Sequence, residues 1–532
     1  MLATEDCQEN YMPQEQSQDT SPVAVPAQAP ATPSTALPVE KTGVRKLDRT
    51  FWTLNAIEMW ERLAYFGVRT VVPIYLMQAD DPGGLHLTAA HKGTIYAVWF
   101  VLQSVLPMFT GGYADRYGYK KTMAFSVILN IIGYVMMAFL RSYVGFFAGV
   151  AVLATGTAFF KPSIQGSLAQ NLTKDVSSLG WGIFYWVVNI GGAGGPFIAT
   201  AILGQPHTAE AWRNLFLASA GFTSLNLLML FTFKDVPSGA SKTETPLQVM
   251  KRTLTNIVEP RLVSFLLIMS CFWLMMYQLW DLHPNFIEDW VDSSGVAALL
   301  PQTDYWSRAT DRGRQVPQQI LLNLNAVLIV AAIIPVSWLV RRMRALSSML
   351  IGMTVATGGI LVAGLTGNGW ILLAGIVLFS AGEMLTGPKK NEYLGLIAPA
   401  GKKGLYLGYV NIPVGIGGFV GSKMAGYIYG HYGEKATLSL KYLATQAGLG
   451  EGKGWDGSLA TLESSVGVTR VEAFAKLQEV TGMDAAQATQ LLWDTYQPHM
   501  AVWLPFAAIG VGAIIALAVF GQMAKKWADM NA

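Results

Sequence analysis

The chain has 532 residues, 52% of them hydrophobic and only 13% charged, against a usual charged share of about 25%. With a mean hydropathy of +0.36 and apolar runs of membrane-spanning length almost end to end, this composition specifies an all-α polytopic membrane protein. The net charge of +3 favours no class of partner, and Cys7 and Cys271 can form neither a disulfide framework nor a metal site.

Residues 1–48 are rich in Pro, Ala, Gln, Ser and Thr. They lack an apolar run and are expected to form a disordered tail without a signal or transit peptide. From Phe51 to Met77 the chain reads as a first span with an unusual polar face. Glu58, Glu61, Arg62, Tyr65 and Arg69 fall at offsets 0, 3, 4, 7 and 11, within a stripe roughly 100° wide on a helix. Ionised groups at membrane depth are costly, so the stripe is expected to face a bundle interior or a water-filled cavity, as the lining of a transport pathway would.

Further spans are expected at about 92–113, 121–141, 143–168, 179–204, 212–233, 260–286, 317–340, 346–366, 369–397, 404–430 and 498–525, twelve in all. Basic residues concentrate in the loops after even-numbered spans and at the chain end, which places both termini in the cytoplasm. The linker at 234–259 divides the spans into an N-terminal half at 49–233 and a C-terminal half at 260–532. NIGGAGG at Asn189–Gly195 and GIGGFVG at Gly415–Gly421 are read as close-packing surfaces in spans 5 and 11. Two loops on the opposite side, about 287–316 and 431–497, are too long for simple connections. Val466–Tyr496 has the pattern of one or two amphipathic helices and suggests a small cap.

Two motifs then carry a resemblance. GGYADRYGYKK between spans 2 and 3 is similar to the loop motif G-x-L-A-D-R-x-G-R-K of the major facilitator superfamily, with Tyr119 where a basic residue is usual. This implies a major facilitator fold of twelve helices in two six-helix halves, with Gly111, Asp115, Arg116 and Gly118 as a conformational latch; Gly111 and Gly118 are expected to allow tight backbone passage. Span 1 reads EMWERLAYFG, which resembles the E-x-x-E-R-F-x-Y-Y-G signature of the proton-dependent oligopeptide transporter family. GTAFFKPSI in span 4 and GEMLTGP in span 10 are similar to that family's G-x-G-x-x-K-P and G-E-x-x-x-x-P.

The resemblance implies proton-coupled import of di- or tripeptides by alternating access. Glu58, Glu61, Arg62 and Lys161 would couple protons, and Tyr65, Arg69, Lys161, Asn189, Asn325 and Glu383 would bind substrate. Arg69 and Lys161 would attract the peptide carboxylate, and Glu383 would take the amino terminus. Partners are then the peptide, protons and the bilayer, without nucleic acid, cofactor or metal. A single copy in the cell inner membrane is expected to suffice.

Departures from the family pattern leave other readings open. Span 7 has Tyr277 and Gln278 where a Glu-Gln pair is common, with Asp281 one turn later as a candidate substitute. Lys389 and Lys390 follow Glu383 in span 10, either snorkelling to the interface beside Glu392 or adding positive charge to the cavity. The second would suit another small organic anion. Val101 and the YVNIPVG segment also lack aromatic residues frequent at those places, and His283 is read as an interfacial helix-end residue. A transporter-like receptor is the alternative from a different class. An intramembrane enzyme is disfavoured, as no nucleophile–base–orienter set is visible.

Overall fold

The computed structural model describes residues 47–173, 176–235, 259–398, 409–450 and 458–525. The N-terminal tail, most of the 234–259 linker and the start of the expected eleventh span lie outside the described residues. Among them, eight helices are each long and apolar enough to cross a membrane, and the bent pair Ala89–Val105 and Pro107–Tyr117 makes a ninth. Three more polar segments of similar length complete twelve spans. The chain is a multi-pass membrane protein. Large apolar side chains such as Phe139, Leu228, Ile334, Trp338 and Ile515 are exposed on its outer surface, as lipid contact requires.

Span 1 is Arg49–Arg69 continued by Val72–Met77, and span 2 is the pair bent by 43° at Leu106. Spans 3 to 6 are Tyr119–Phe139, Tyr143–Asn171, Ser177–Leu203 and Ala209–Leu230. Span 7 runs in three pieces, Pro260–Met276, Gln278–Asp281 and His283–Trp290. Spans 8 to 12 are Gln318–Val340, Ala345–Gly364, Gly369–Leu396, Tyr409–Tyr432 and Pro498–Ala524. Sequence chemistry sets many ends. Asp48, Thr88, Ser142, Thr208 and Asn368 accept hydrogen bonds from the first-turn amides of spans 1, 2, 4, 6 and 10, which satisfies donors that a helix start leaves open. Breaks in spans 1, 2 and 7 coincide with Pro73, Pro107 and Pro284, since proline lacks the amide that would continue the ladder.

Spans 1 to 6 pack as one bundle and spans 7 to 12 as another. The bundles meet chiefly where span 2 packs on span 11 and span 5 on span 8. The glycine segments are close-packing surfaces as expected, that of span 5 against span 1 within the first bundle and that of span 11 against span 2 across the two bundles. A Cβ on Gly195 would lie 2.5 Å from the Gly67 amide nitrogen of span 1, and one on Gly418 would lie 2.3 Å from the Phe100 ring of span 2. Backbones approach so closely there that only hydrogen fits.

We call the side where span 1 begins and span 12 ends the terminal face, and the opposite side the loop face. On the loop face, 290–317 carries a hairpin pairing Arg308–Thr310 with Gly313–Gln315. The stretch after span 11 folds into the helices Lys435–Thr445, Leu459–Val466, Ala473–Thr481 and Ala485–Tyr496. The cap therefore exists, and Val466–Tyr496 holds two helices, Ala473–Thr481 and Ala485–Tyr496, as the sequence pattern led one to expect; Lys435–Thr445 and Leu459–Val466 precede them. His283 opens the helix His283–Trp290, as its helix-end reading expects, and is fully buried, stacking on Trp503 with ring centroids 3.9 Å apart.

Candidate functional site

Spans 1, 2, 4, 5, 7, 8, 10 and 11 enclose a cavity of about 350 Å³ between the two bundles. Helical geometry brings most of the predicted residues to it. Arg62, Tyr65 and Arg69 project from span 1, Lys161 from span 4 and Asn189 from span 5; Asn325 comes from span 8, and Glu383 and Lys390 from span 10. Arg62 and Arg69 are about 10 Å apart along the helix axis at 1.5 Å per residue, so span 1 supplies cations at two depths.

The carboxylates of span 1 stand behind this wall rather than in it. Glu58 and Glu61 are buried, and both pair with Arg62: Glu58 Oε1 lies 3.3 Å from Arg62 Nε, and Glu61 Oε2 contacts a terminal nitrogen. Glu58 Oε2 is buried without a hydrogen-bond partner among the described residues. Arg62 also lies 5.0 Å from the centre of the Tyr65 ring, and the Tyr65 hydroxyl donates to Gln103 at 2.7 Å. Lys161 lines the cavity within electrostatic range of Glu58, Glu61 and Arg62, but no carboxylate among the described residues comes within 4.0 Å of it. The local backbone explains its placement. Pro162 denies Ala158 its usual helical partner, and the Ala158 carbonyl accepts the Thr110 hydroxyl of span 2 at 2.7 Å instead. This pins spans 2 and 4 together beside the lysine.

On the opposite wall Asn325 donates to Glu383 Oε2 at 3.0 Å and to the Ser380 hydroxyl at 3.1 Å. Asn189 bonds its own helix at Tyr185 O, 2.8 Å. The adjacent lysines of span 10 divide. Lys389 pairs with Glu392 at 2.8 Å and donates to Met343 O, away from the cavity, whereas Lys390 lines it with its ammonium 4.1 Å from the centre of the Trp273 ring.

Asp281 does not substitute for a span 7 partner of Lys161. It bonds Arg69 at 2.5 Å and accepts the Ser422 hydroxyl of span 11 at 3.0 Å. The Arg69 guanidinium stacks within 3.9 Å of the Tyr96 ring centre, and its Nη1 has no partner among the described residues. Gln278 is not in the cavity wall. It bonds Leu274 O and packs on Gly421, because the turn at Tyr277 rotates it towards span 11.

Residues that the sequence reading passed over extend the Arg69–Asp281 bridge into a seal on the loop side. Lys92 of span 2 is buried and donates to Asp281 O at 2.6 Å and Asn285 Oδ1 at 2.7 Å. Asn285 donates to Pro73 O and Gln78, and Gln78 donates to Asp289. Gln318, Gln319 and Asn323 of span 8 bond Thr70 O, the Thr200 hydroxyl and Ala193 O. These bonds all cross between the bundles. Their donors sit at polar positions in otherwise apolar segments, which was the available signal, but the partners are 119 to 248 residues away and local pattern cannot name them.

At the expected latch, Tyr119 donates to Asp115 at 2.7 Å. Gly118 has φ +98°, and a Cβ there would meet Asp235 at 2.8 Å; its backbone needs glycine. Gly111 is different: a Cβ would make only ordinary contact with Pro162 at 3.7 Å, so no tight passage occurs there.

Residues 61–422 match the Major Facilitator Superfamily. Among similar proteins, the uncharacterized transporter YclF of Bacillus subtilis (strain 168) is 32% identical over 165 residues, 30% of this chain and 33% of its own. The dipeptide and tripeptide permease A of Proteus mirabilis (strain HI4320) is 24% identical over 52% of this chain and 54% of its own. A di-/tripeptide transporter of Lactococcus lactis subsp. lactis (strain IL1403) is 28% identical over 53% and 60%. The chain thus spans between a third and three-fifths of the length of these relatives. Similar solved structures include a POT family transporter in complex with a thioalcohol-conjugated peptide, with TM-score 0.61 and 15% identity over 90% of this chain and 96% of that one. The nucleoside transporter NupG has TM-score 0.63 and 11% identity over 88% and 99%. At such identities these two likenesses concern the fold, which they share with the two-bundle arrangement described above. The superfamily match runs from span 1 into span 11, more than half of the chain, and the protein belongs to the Major Facilitator Superfamily.

Proposed function

We propose that this protein is a proton-coupled symporter that imports di- and tripeptides by alternating access. The observation that carries the reading is a single cavity with separated charges. Arg62, Arg69 and Lys161 come from one bundle, and Glu383, oriented by Asn325, comes from the other. A zwitterionic peptide spanning it places its carboxylate on the first bundle and its ammonium on the second. Both contacts are to groups that every peptide shares, so the ligand links the bundles whatever its side chains. Peptide-transporting relatives over half the chain support the same substrate class.

In this reading Arg62 is the coupling switch and Glu58 the proton acceptor. The unpartnered Glu58 Oε2 is where a proton is accommodated at least cost, since a buried carboxylate oxygen with no donor gains most from becoming a hydroxyl. Protonation weakens the hold of Glu58 on Arg62, which can then turn towards the peptide carboxylate. Lys161 and the free Nη1 of Arg69 are the other cationic donors that the first bundle offers to the cavity. The loop-side seal corresponds to an inward-facing state, with the termini cytoplasmic and the protein acting singly in the inner membrane. Lys390 gives one reason to weigh a small organic anion instead, because it adds a cation beside Glu383.

The test is uptake of a labelled dipeptide into proteoliposomes, with and without an inward-directed proton gradient. Accumulation that requires the gradient and falls at least tenfold in Glu383→Gln is the expected result. Uptake of an anion lacking an amino group, with none of the dipeptide, would replace peptide by organic anion.

A further inference from the structure

A second charged chamber of about 380 Å³ lies on the loop face, outside the seal. It is lined by both bundles, the 308–315 hairpin and the cap. Its cations are not equivalent. Arg308 pairs with Glu288, and Arg312 donates to Glu288 O at 2.6 Å. Lys435 is only 8% exposed, yet its ammonium makes no ion pair within 4.0 Å among the described residues and faces the Phe474 ring at 4.5 Å. Across the same chamber Asp80 stands at the exposed rim, likewise without an ion pair. The two charges sense each other without touching. Crowding by the chamber wall would by itself raise the Asp80 carboxyl, but Lys435, then a hydrogen bond with Gln78, then Arg308 hold it below the usual range; burial pushes Lys435 down. Leaving such a lysine unpaired in a structure is costly, and a ligand that supplied its counter-charge would recover that cost.

We propose that this chamber is an outer loading site for a small zwitterion, whose carboxylate meets Lys435, whose ammonium meets Asp80 and whose apolar side chain rests on Phe474. The proposal rests on the reading of the substrate as a short peptide, and gives that substrate a waiting position before the central cavity. The chamber's size is within the usual range for small-ligand pockets, about 300–1,000 Å³. It is also coupled to the seal. Gln78 lines the chamber and donates to Asp289 Oδ1 at 2.9 Å across the bundle interface, while the Lys435 amide and the Tyr429 hydroxyl bond Asp289 Oδ2. A solute on Lys435 and Asp80 thus lies against one of the bonds that must break for the loop side to open.

The experiment is equilibrium binding of labelled alanyl-phenylalanine to the detergent-solubilised full chain, read as stoichiometry. Two sites per chain are expected. Glu383→Gln should leave one, and adding Lys435→Met or Asp80→Asn to it should weaken that remaining site at least tenfold, with Lys435→Arg restoring it and showing that the cap still folds. An N-acetylated, amidated dipeptide, lacking both charges, should not occupy it. One site that Glu383→Gln abolishes and Lys435→Met leaves unchanged would overturn the outer site, while gradient-driven uptake would keep peptide transport standing. No dipeptide binding at either place, together with no uptake, would bring down both.

Discussion

At the scale of residues, the site is an argument about where charge can be afforded in an apolar bundle. Glu58, Glu61 and Arg62 form one buried cluster with a single cation between two carboxylates. Arg62→Ala is therefore expected to destabilise far more than Glu58→Gln, since it leaves two buried carboxylates without a partner, a loss of about 3–5 kcal/mol for a broken buried pair. Thermal unfolding in detergent would measure this, and equal shifts for the two variants would contradict the arrangement. Glu58→Gln should abolish gradient-driven accumulation yet keep peptide counterflow, which moves no net proton. Full accumulation in Glu58→Gln would remove this residue from coupling. These charges were legible in the sequence because ionisable residues in an apolar span are conspicuous. That the carboxylates stand behind the cavity wall, while Arg62 looks into it, was not. The stripe on span 1 has a direction relative to its own axis, and only the neighbouring helices decide which part of it meets the cavity.

At the scale of elements, the cap acts through one side chain. Arg470, at 3% exposure, pairs with Glu434 and donates to Met77 O, His86 O and Leu87 O at 3.2, 2.7 and 3.2 Å. Glu434 belongs to the cap's own bundle and the three carbonyls to the other, so the guanidinium straps the bundles together on the loop face. Arg470→Ala should favour the loop-side-open state but also leave Glu434 buried alone. The double variant Arg470→Met with Glu434→Leu avoids that cost, since an apolar pair often replaces a buried ion pair without loss. It should widen the distance between spin labels at Ala90 and Tyr427 while unfolding near the unaltered temperature; an unchanged distance would show that the strap does not hold the state. The sequence showed amphipathic helices here but no chemistry. A lone arginine in a loop is ordinary, and the main-chain carbonyls that bind it leave no trace in residue identities.

At the scale of the whole molecule, two bundles are closed on one side by a polar seal, which the proposed alternating access would exchange for another on the opposite side. Asp281 is its hub, joining Arg69, Lys92 and Ser422 from spans 1, 2 and 11. Asp281→Asn removes the charge that balances a buried guanidinium. Loss of one partner in such a pair costs about 2–5 kcal/mol, so the closed state should weaken by at least tenfold, at about 1.4 kcal/mol per decade. The same labelled pair should report a larger open population, and an unchanged one would place the energy of closure elsewhere. The sequence alone determined that this chain is a helical membrane protein, where most spans lie, which helices pack by glycine, and that spans 1, 4 and 10 carry the charges. Those follow from local physics: apolar length, helical periodicity, capping and the cost of buried charge. Only the tertiary structure decided that Asp281 serves Arg69 rather than Lys161, that Lys389 and Lys390 part company, and that the loop side is sealed. A partner across a cavity or an interface is fixed by packing over hundreds of residues, and no local pattern records it.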